Sequence, residues 1–331
     1  MAALIIGQGK IGRAVFYYLK KIKATKNVAF FTDEKDVKDA DILISALPGK
    51  VAEKGLKLAL KHKKDLVDVS DLEPEFYLNK KNEISKKGIK VMPNAGFCPG
   101  LVNLILGREI FCKKSLEEIE IKVGTVSPKK FFYPFLWCFE DLILEHKISS
   151  WQIVNGRKKE FPPFFGLQPE KFYNIEAESY FAQSGFENLF NEAKAKNFQF
   201  RVVRPLGFFY FYQFLDNYGF FNRKNIKNTK KILESKKEDN LTLAEINILA
   251  DSKKTRWEVK SFSKKNEKMN SMQKITGLFA AVIVKLILGN KIKTNELFLM
   301  EQLGKDEEIF KEVIKELKRG GIVIKNSVWH I

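Results

Sequence analysis

Cysteine is scarce: Cys98, Cys112 and Cys138 are the only three in 331 residues, an odd set without metal-ligand spacing. That excludes a disulfide framework and a cysteine-based zinc centre, and leaves free thiols suited to a reducing compartment. No metal site is expected. The sequence also lacks an apolar run of the roughly 20 residues that a membrane helix needs. The longest, Ile275 to Leu288, carries Lys285 and reads as a buried helix; the aromatic run Phe208 to Phe221 carries Gln213, Asp216 and Asn217 and reads as core or as a subunit contact. No basic leader precedes Ala2-Ala3-Leu4-Ile5-Ile6, so a cytoplasmic location is expected, with no membrane partner. Arginine is scarce as well. Only eight of the 58 basic residues are arginine, so the net charge of +18 comes from lysine. These lysines are scattered and interleaved with Glu, which argues for solvated faces and against a nucleic-acid partner.

What is present begins with a strand, Leu4 to Ile6, that runs into Gly7-Gln8-Gly9-Lys10-Ile11-Gly12 and then a helical pattern (Ile11, Val15, Leu19). Strand, G-x-G-x-x-G and helix in that order form a dinucleotide fingerprint. Gly7 makes the tight turn, Gly9 lets the backbone approach a pyrophosphate, and Gly12 lets the helix pack on the strand. The helix N-terminus adds the positive end of a dipole. A second strand, Val28 to Phe31, places Asp33 near the offset at which an acid accepts ribose hydroxyls, which favours NAD and keeps NADP open. Asp33 is equally suited to cap the next turn. Only eight residues separate Asp33 from the next strand at Ile42, so the sheet should be trimmed at one edge. Ser45-Ala46-Leu47-Pro48-Gly49 then turns towards the same cleft. A helix and the strand Leu66 to Asp71 follow, with Ser70 and Asp71 at the ligand-binding end and Asp71 also a candidate helix cap. A further helix, Glu75 to Lys87, and a strand ending at Met92 lead to Pro93-Asn94-Ala95-Gly96-Phe97-Cys98-Pro99-Gly100. Gly96 and Gly100 permit close approach, and Pro99 suits the start of the next helix. Cys98 stands at that helix start, where a thiol's pKa is lowered, but no His lies near it in sequence.

These motifs, with Ile44-Ser45-Ala46-Leu47-Pro48, Val67-Asp68-Val69-Ser70-Asp71 and Ala95-Gly96-Phe97-Cys98-Pro99-Gly100-Leu101, resemble in order and spacing the saccharopine dehydrogenase-like family, nearest to its lysine 6-dehydrogenases and saccharopine reductases. A weaker resemblance runs through Trp137 to Ile143, Arg157 to Pro162, Glu176 to Gly185 and Met272 to Ala281. It implies an α/β chain: a Rossmann-type doubly wound parallel sheet, edge-trimmed, with a second α+β domain of mainly antiparallel strands. The expected boundaries are 1–111 for the dinucleotide domain, 112–269 for the substrate and oligomerisation domain, and 270–331 for helices returning to the first. In the second part, Leu116 to Val123 alternates as a half-buried strand, and Asn155-Gly156 marks a hairpin turn.

The resemblance implies NAD(P)-dependent hydride transfer from an amino-acid carbon bearing nitrogen, followed by imine hydrolysis. Such chemistry needs a base to strip the amine. Glu140, Asp141, His146, Glu176 and Glu178 are the candidates, with Asp141 and Glu178 preferred. Arg204 is the best match to a substrate carboxylate, because a planar fork suits one, and Thr276 would face the cleft. The cofactor residues are Gly7 to Gly12, Asp33, Ala46, Leu47, Pro48, Ser70, Asp71, Gly96, Phe97, Cys98 and Gly100. Lys129 to Pro134 lacks the substrate motif of a saccharopine reductase, so a carboxynorspermidine synthase-like reductase and a non-catalytic NAD-binding scaffold or sensor stand as alternatives. A homodimer or homotetramer is expected.

Overall fold

The computed structural model describes residues 1–70, 72–113, 115–134, 138–183, 185–293 and 296–330. The chain divides into two units, Met1–Lys113 with Gln273–Gly321, and Lys114–Met272 with Ile322–Ile331.

The first unit is built on a five-stranded sheet. In chain order its elements are β1 (Ala2–Ile6), α1 (Lys10–Lys21), β2 (Asn27–Phe30), β3 (Ile42–Ser45), α2 (Glu53–His62), β4 (Asp65–Asp68), α3 (Pro74–Leu78), α4 (Lys81–Lys87), β5 (Val91–Met92) and α5 (Leu101–Cys112). The strand order is β2-β1-β3-β4-β5, and every pairing is parallel. Continuous apolar runs such as Ile42-Leu43-Ile44 suit strands covered on both faces, and these three residues are fully buried. The trimmed edge is observed: only a short 3-10 turn, Glu34–Val37, joins β2 to β3. The helix expected over Glu75 to Lys87 is instead two, broken at Asn79-Lys80.

In the second unit the chain continues with β6 (Leu116–Val126), α6 (Phe139–Glu145), β7 (Ser150–Val154), β8 (Arg157–Phe161), β9 (Gln168–Phe172), β10 (Ile175–Phe181), α7 (Glu187–Ala193), β11 (Asn197–Pro205), α8 (Phe208–Asn217), α9 (Ile226–Ser235), β12 (Asn240–Ala250) and β13 (Lys253–Ser263). It then forms α10 (Ser271–Leu288), α11 (Met300–Lys305), α12 (Glu307–Arg319) and β14 (Val323–His330). The sheet runs β14-β13-β12-β6-β11-β10-β9, with β7 pairing β11 and β8. Among the described residues β6 and β11 are the one parallel pair of this sheet, so it is mixed and mainly antiparallel. The hairpin turn stands where the Asn-Gly pair placed it, with Asn155 and Gly156 both at positive φ.

The chain end corrects one expectation. Helices α10 to α12 belong to the first unit as far as Gly321, but Ile322–Ile331 does not return with them. Residues 323–330 pair antiparallel with β13 and extend the second sheet. The alternation that marks a strand is weak there, because β14 is an edge strand with only Ile324 buried. Helix α10 is long and apolar enough to cross a membrane by length and composition alone. Ile275, Leu278, Phe279 and Ile283 are all fully buried, whereas Lys285 stays partly exposed and pairs with Glu316 at 2.6 Å. Helix α12 starts on Asp306, which accepts from the Glu308 and Ile309 amides, and ends on Lys318 and Arg319, as the helix dipole favours.

Candidate functional site

In an open parallel sheet the ligand site lies beyond the carboxyl ends of the strands, where the order reverses. Here that point is between β1 and β3, and the turns after both meet there. Gly7 has φ +114° and a Cβ on it would come 2.5 Å from the Ala46 carbonyl oxygen, so only glycine lets the two turns touch. At Gly12 a Cβ would collide with the Gly7 carbonyl oxygen, which is how α1 packs onto the strand end. Gly9 is the opposite case: a Cβ there would meet nothing within 4 Å. The backbone at Gly9 therefore faces open space in front of the first turn of α1. That turn has no side-chain cap and no acid. It carries Lys10 and Arg13 instead, and Arg13 is tethered through its Nε to the Gln8 carbonyl at 3.0 Å. Cations in a first turn oppose the helix dipole unless an anion is bound there, so the donor set fits a dinucleotide pyrophosphate.

Asp33 sits exposed just beyond β2. Its Oδ1 accepts from the Lys35 amide at 3.2 Å while its own amide donates to Asp36 at 3.0 Å, so it does cap the following turn. Ala46 and Leu47 are half-buried after β3, and Pro48 is exposed. Ser70 is buried after β4; Asp71 lies outside the described residues. Beneath these turns Asp68 is fully buried, accepting from the Tyr77 hydroxyl at 2.6 Å and the Ser70 amide at 2.8 Å, and burial raises its pKa.

The turn after β5 is locked from both sides. Asn94 donates to the Leu72 carbonyl at 2.9 Å, the Ala95 amide donates to the Asp68 carbonyl at 2.7 Å, and the Gly100 amide donates to Asn103 Oδ1 at 2.9 Å. Gly100 adopts φ +138° against the Gly96 carbonyl, a position closed to any Cβ. Phe97 is buried, Cys98 is half-buried, and the Cys98–Pro99 peptide is cis. Thr276 on α10 is buried, and its Cγ2 lies 3.7 Å from where a Gly96 Cβ would stand. Its neighbour Gly277 packs on Ala14 of α1. The structure thus brings the glycine turns and Thr276 together within one unit.

The candidates from the second unit form their own cluster. Glu178 on β10 lies opposite Arg204 on β11. Its carboxylate accepts from the Gly207 amide at 2.7 Å and the Phe209 amide at 2.6 Å, so it caps the start of α8; burial nevertheless raises its pKa. Arg204 is buried and gives one terminal nitrogen to both oxygens of Glu145, at 3.0 and 2.9 Å. His146 is buried among Phe164, Tyr180, Phe208 and Tyr212. Its Nδ1 is 2.6 Å from the Leu142 carbonyl, which makes Nδ1–H the donor, and its Nε2 is 2.6 Å from the Tyr180 hydroxyl, from which the neutral ring accepts. Burial pushes it down to about 4. Asp141 is half-buried in the first turn of α6. Glu140 pairs with Lys230 at 2.9 Å and Glu176 with Lys130 at 3.6 Å. Sequence reasoning missed Glu145 and Tyr77, whose partners stand 59 and nine residues away with no local pattern to announce them.

A parallel sheet with this strand order and glycine turn, followed by a mixed mainly antiparallel sheet, defines an NAD(P)-binding oxidoreductase fold. Residues 96–322 match the family model described as the saccharopine dehydrogenase C-terminal domain, and the chain belongs to the saccharopine dehydrogenase family, a family of NAD(P)-dependent dehydrogenases. Among solved structures it is similar to apo histidine-tagged saccharopine dehydrogenase (L-Glu forming) from Saccharomyces cerevisiae, with a TM-score of 0.79, 16% identity and 99% of each chain covered. It is more distantly similar to the C. glutamicum DAP dehydrogenase in complex with DAP, with a TM-score of 0.50 and 13% identity over 95% of this chain and 98% of that one. Comparison of the sequence with curated proteins gives no match.

Proposed function

We propose that the protein is an NAD(P)-dependent oxidoreductase acting on the C–N bond of an amino acid, with L-lysine and saccharopine as the first candidates and NAD favoured over NADP. The observation that carries this reading is the turn at Gly7 to Gly12: open at Gly9, closed at Gly7 and Gly12, and cationic in the first turn of α1, in a chain of this family. Those amides and Lys10 would hold the pyrophosphate, and Asp33, exposed beyond β2, would accept from a ribose hydroxyl. When bound, the nicotinamide accepts a hydride from the carbon that carries nitrogen.

The chain's own residues would handle the protons and the carboxylates. Glu178, whose proton affinity burial raises above that of an ordinary glutamate, is the preferred base, with Asp141 as the other candidate. A substrate carboxylate approaching Arg204 would have to compete with Glu145. That engagement favours a second reading, a nucleotide-binding scaffold without turnover, because Arg204, Glu178 and His146 all have partners inside the fold.

One screen separates them. Absorbance of reduced cofactor is followed with lysine, saccharopine, ornithine and polyamine-derived carboxylates, alongside a binding titration with NAD. Turnover with one amine establishes the dehydrogenase; NAD binding with no reduction across the panel selects the scaffold.

A further inference from the structure

The aromatic run Phe208 to Phe221 is only half absorbed by the core. Phe208, Tyr212 and Leu215 of α8 are buried, but Tyr210 is 73% exposed, Phe214 51% and Tyr218 72%. These three are spaced by four, so they form one stripe along the outer face of α8. Phe220 extends it, and the Phe214 ring lies 4.7 Å from Tyr218 and 6.1 Å from Phe220. The corner to α9 is tied down: the Thr229 hydroxyl donates to the Phe220 carbonyl at 2.9 Å, and Asn225 Nδ2 to the Gly219 carbonyl at 2.9 Å. This fixes the stripe beside a strongly basic segment. Residues 223–237 hold Arg223, Lys224, Lys227, Lys231, Lys236 and Lys237, besides Lys230, which is engaged by Glu140; the segment's own acid is Glu234, and Ile232 on α9 is 65% exposed.

We propose that this α8–α9 face docks on the surface of an anionic lipid bilayer, with the aromatic stripe and Ile232 at the headgroup boundary and the lysines on the lipid phosphates. Tyrosine and phenylalanine suit that boundary, and a cluster of four to eight basic residues beside an amphipathic helix is the pattern that anionic leaflets attract. No spanning segment is involved. Charge selects this occupant over a second copy of the chain, since a two-fold contact through the same face would set one basic segment against another. It is also favoured over single-stranded nucleic acid. The rings of Phe214 and Tyr218 pack against each other, which covers faces a base would need, and an exposed isoleucine adds nothing to base stacking.

The test is co-sedimentation of the full chain with phosphatidylcholine vesicles, with and without about a third phosphatidylserine. Binding to the anionic vesicles alone, weakened by salt, is expected. Phe214→Ser with Tyr218→Ser should weaken it about tenfold or more, and Lys227→Glu with Lys231→Glu about as much, leaving a residue that no longer responds to salt. Both variants change exposed side chains, so their thermal midpoints and NAD titrations should match the parent, which keeps this result separate from the cofactor reading. Absence of binding, equal binding to neutral vesicles, a dimer in sedimentation that the aromatic variant dissolves, or tighter binding to poly-U than to vesicles would each overturn the proposal.

Discussion

At the residue scale, two glycines of one motif do opposite jobs, and the difference is measurable. Gly12 stands where a Cβ would collide with the Gly7 carbonyl, so Gly12→Ala must push α1 off β1. The expected cost is about 3 kcal/mol, a fall of about 6–12 °C in the thermal midpoint. Gly9 faces open space, and its φ of −71° suits any residue. Gly9→Val should therefore keep the parent midpoint to within about 0.5 kcal/mol while losing NAD affinity in a titration. If the variant bound NAD undiminished, the pyrophosphate would have to lie elsewhere. Asp33→Ala separates the two duties of that carboxylate. Removal of a ribose acceptor should weaken NAD more than NADP, whereas loss of the turn cap alone would weaken both equally.

Among the elements, the junction of α6, β10, β11 and α8 concentrates the buried polar groups of the second unit. His146 has its pKa lowered by burial from 6.5 to about 4, so the folded ring stays neutral while the unfolded chain takes up a proton below about 6.5. The stability tied to the neutral ring is thus complete above the unfolded value and lost as pH falls from about 6.5 towards 4. It amounts to about 3 kcal/mol over that window. Urea midpoints measured between these pH values should fall steeply for the parent and less so for His146→Gln. The Glu145–Arg204 pair is the second lever. Glu145→Ala strands a buried guanidinium and should cost about 3 kcal/mol, and Glu145→Gln, which keeps an acceptor, should cost less by the same denaturation. These couplings were invisible in the sequence because a residue's partner on a neighbouring element is set by register. Glu178 was legible only as a candidate acid; its place on a strand and its position opposite Arg204 came from the pairing of β10 with β11.

For the whole molecule, the proposed reaction carries a pH signature. Oxidation of an amine requires its uncharged form and a base to receive the proton, so the rate of NAD reduction should rise with pH and then level off. A rate independent of pH across the titration of both groups would remove amine oxidation from consideration, since neither proton would then matter.

The sequence by itself determined the parallel sheet, its trimmed edge, the glycine turns and the hairpin at Asn155-Gly156. Each depends on local rules: continuous apolar runs for buried strands, glycine where a Cβ cannot fit, and a chain too short between Asp33 and Ile42 to hold another strand. Tertiary structure alone decided the rest. It paired β14 with β13 where returning helices were expected, bound Arg204 to Glu145, and turned half of the aromatic α8 outward. The physical reason is the same in each case. A strand at a sheet edge, an ion pair 59 residues apart and the exposed side of an aromatic-rich helix leave no local signal that separates buried from exposed, because what distinguishes them is which neighbour is present in space.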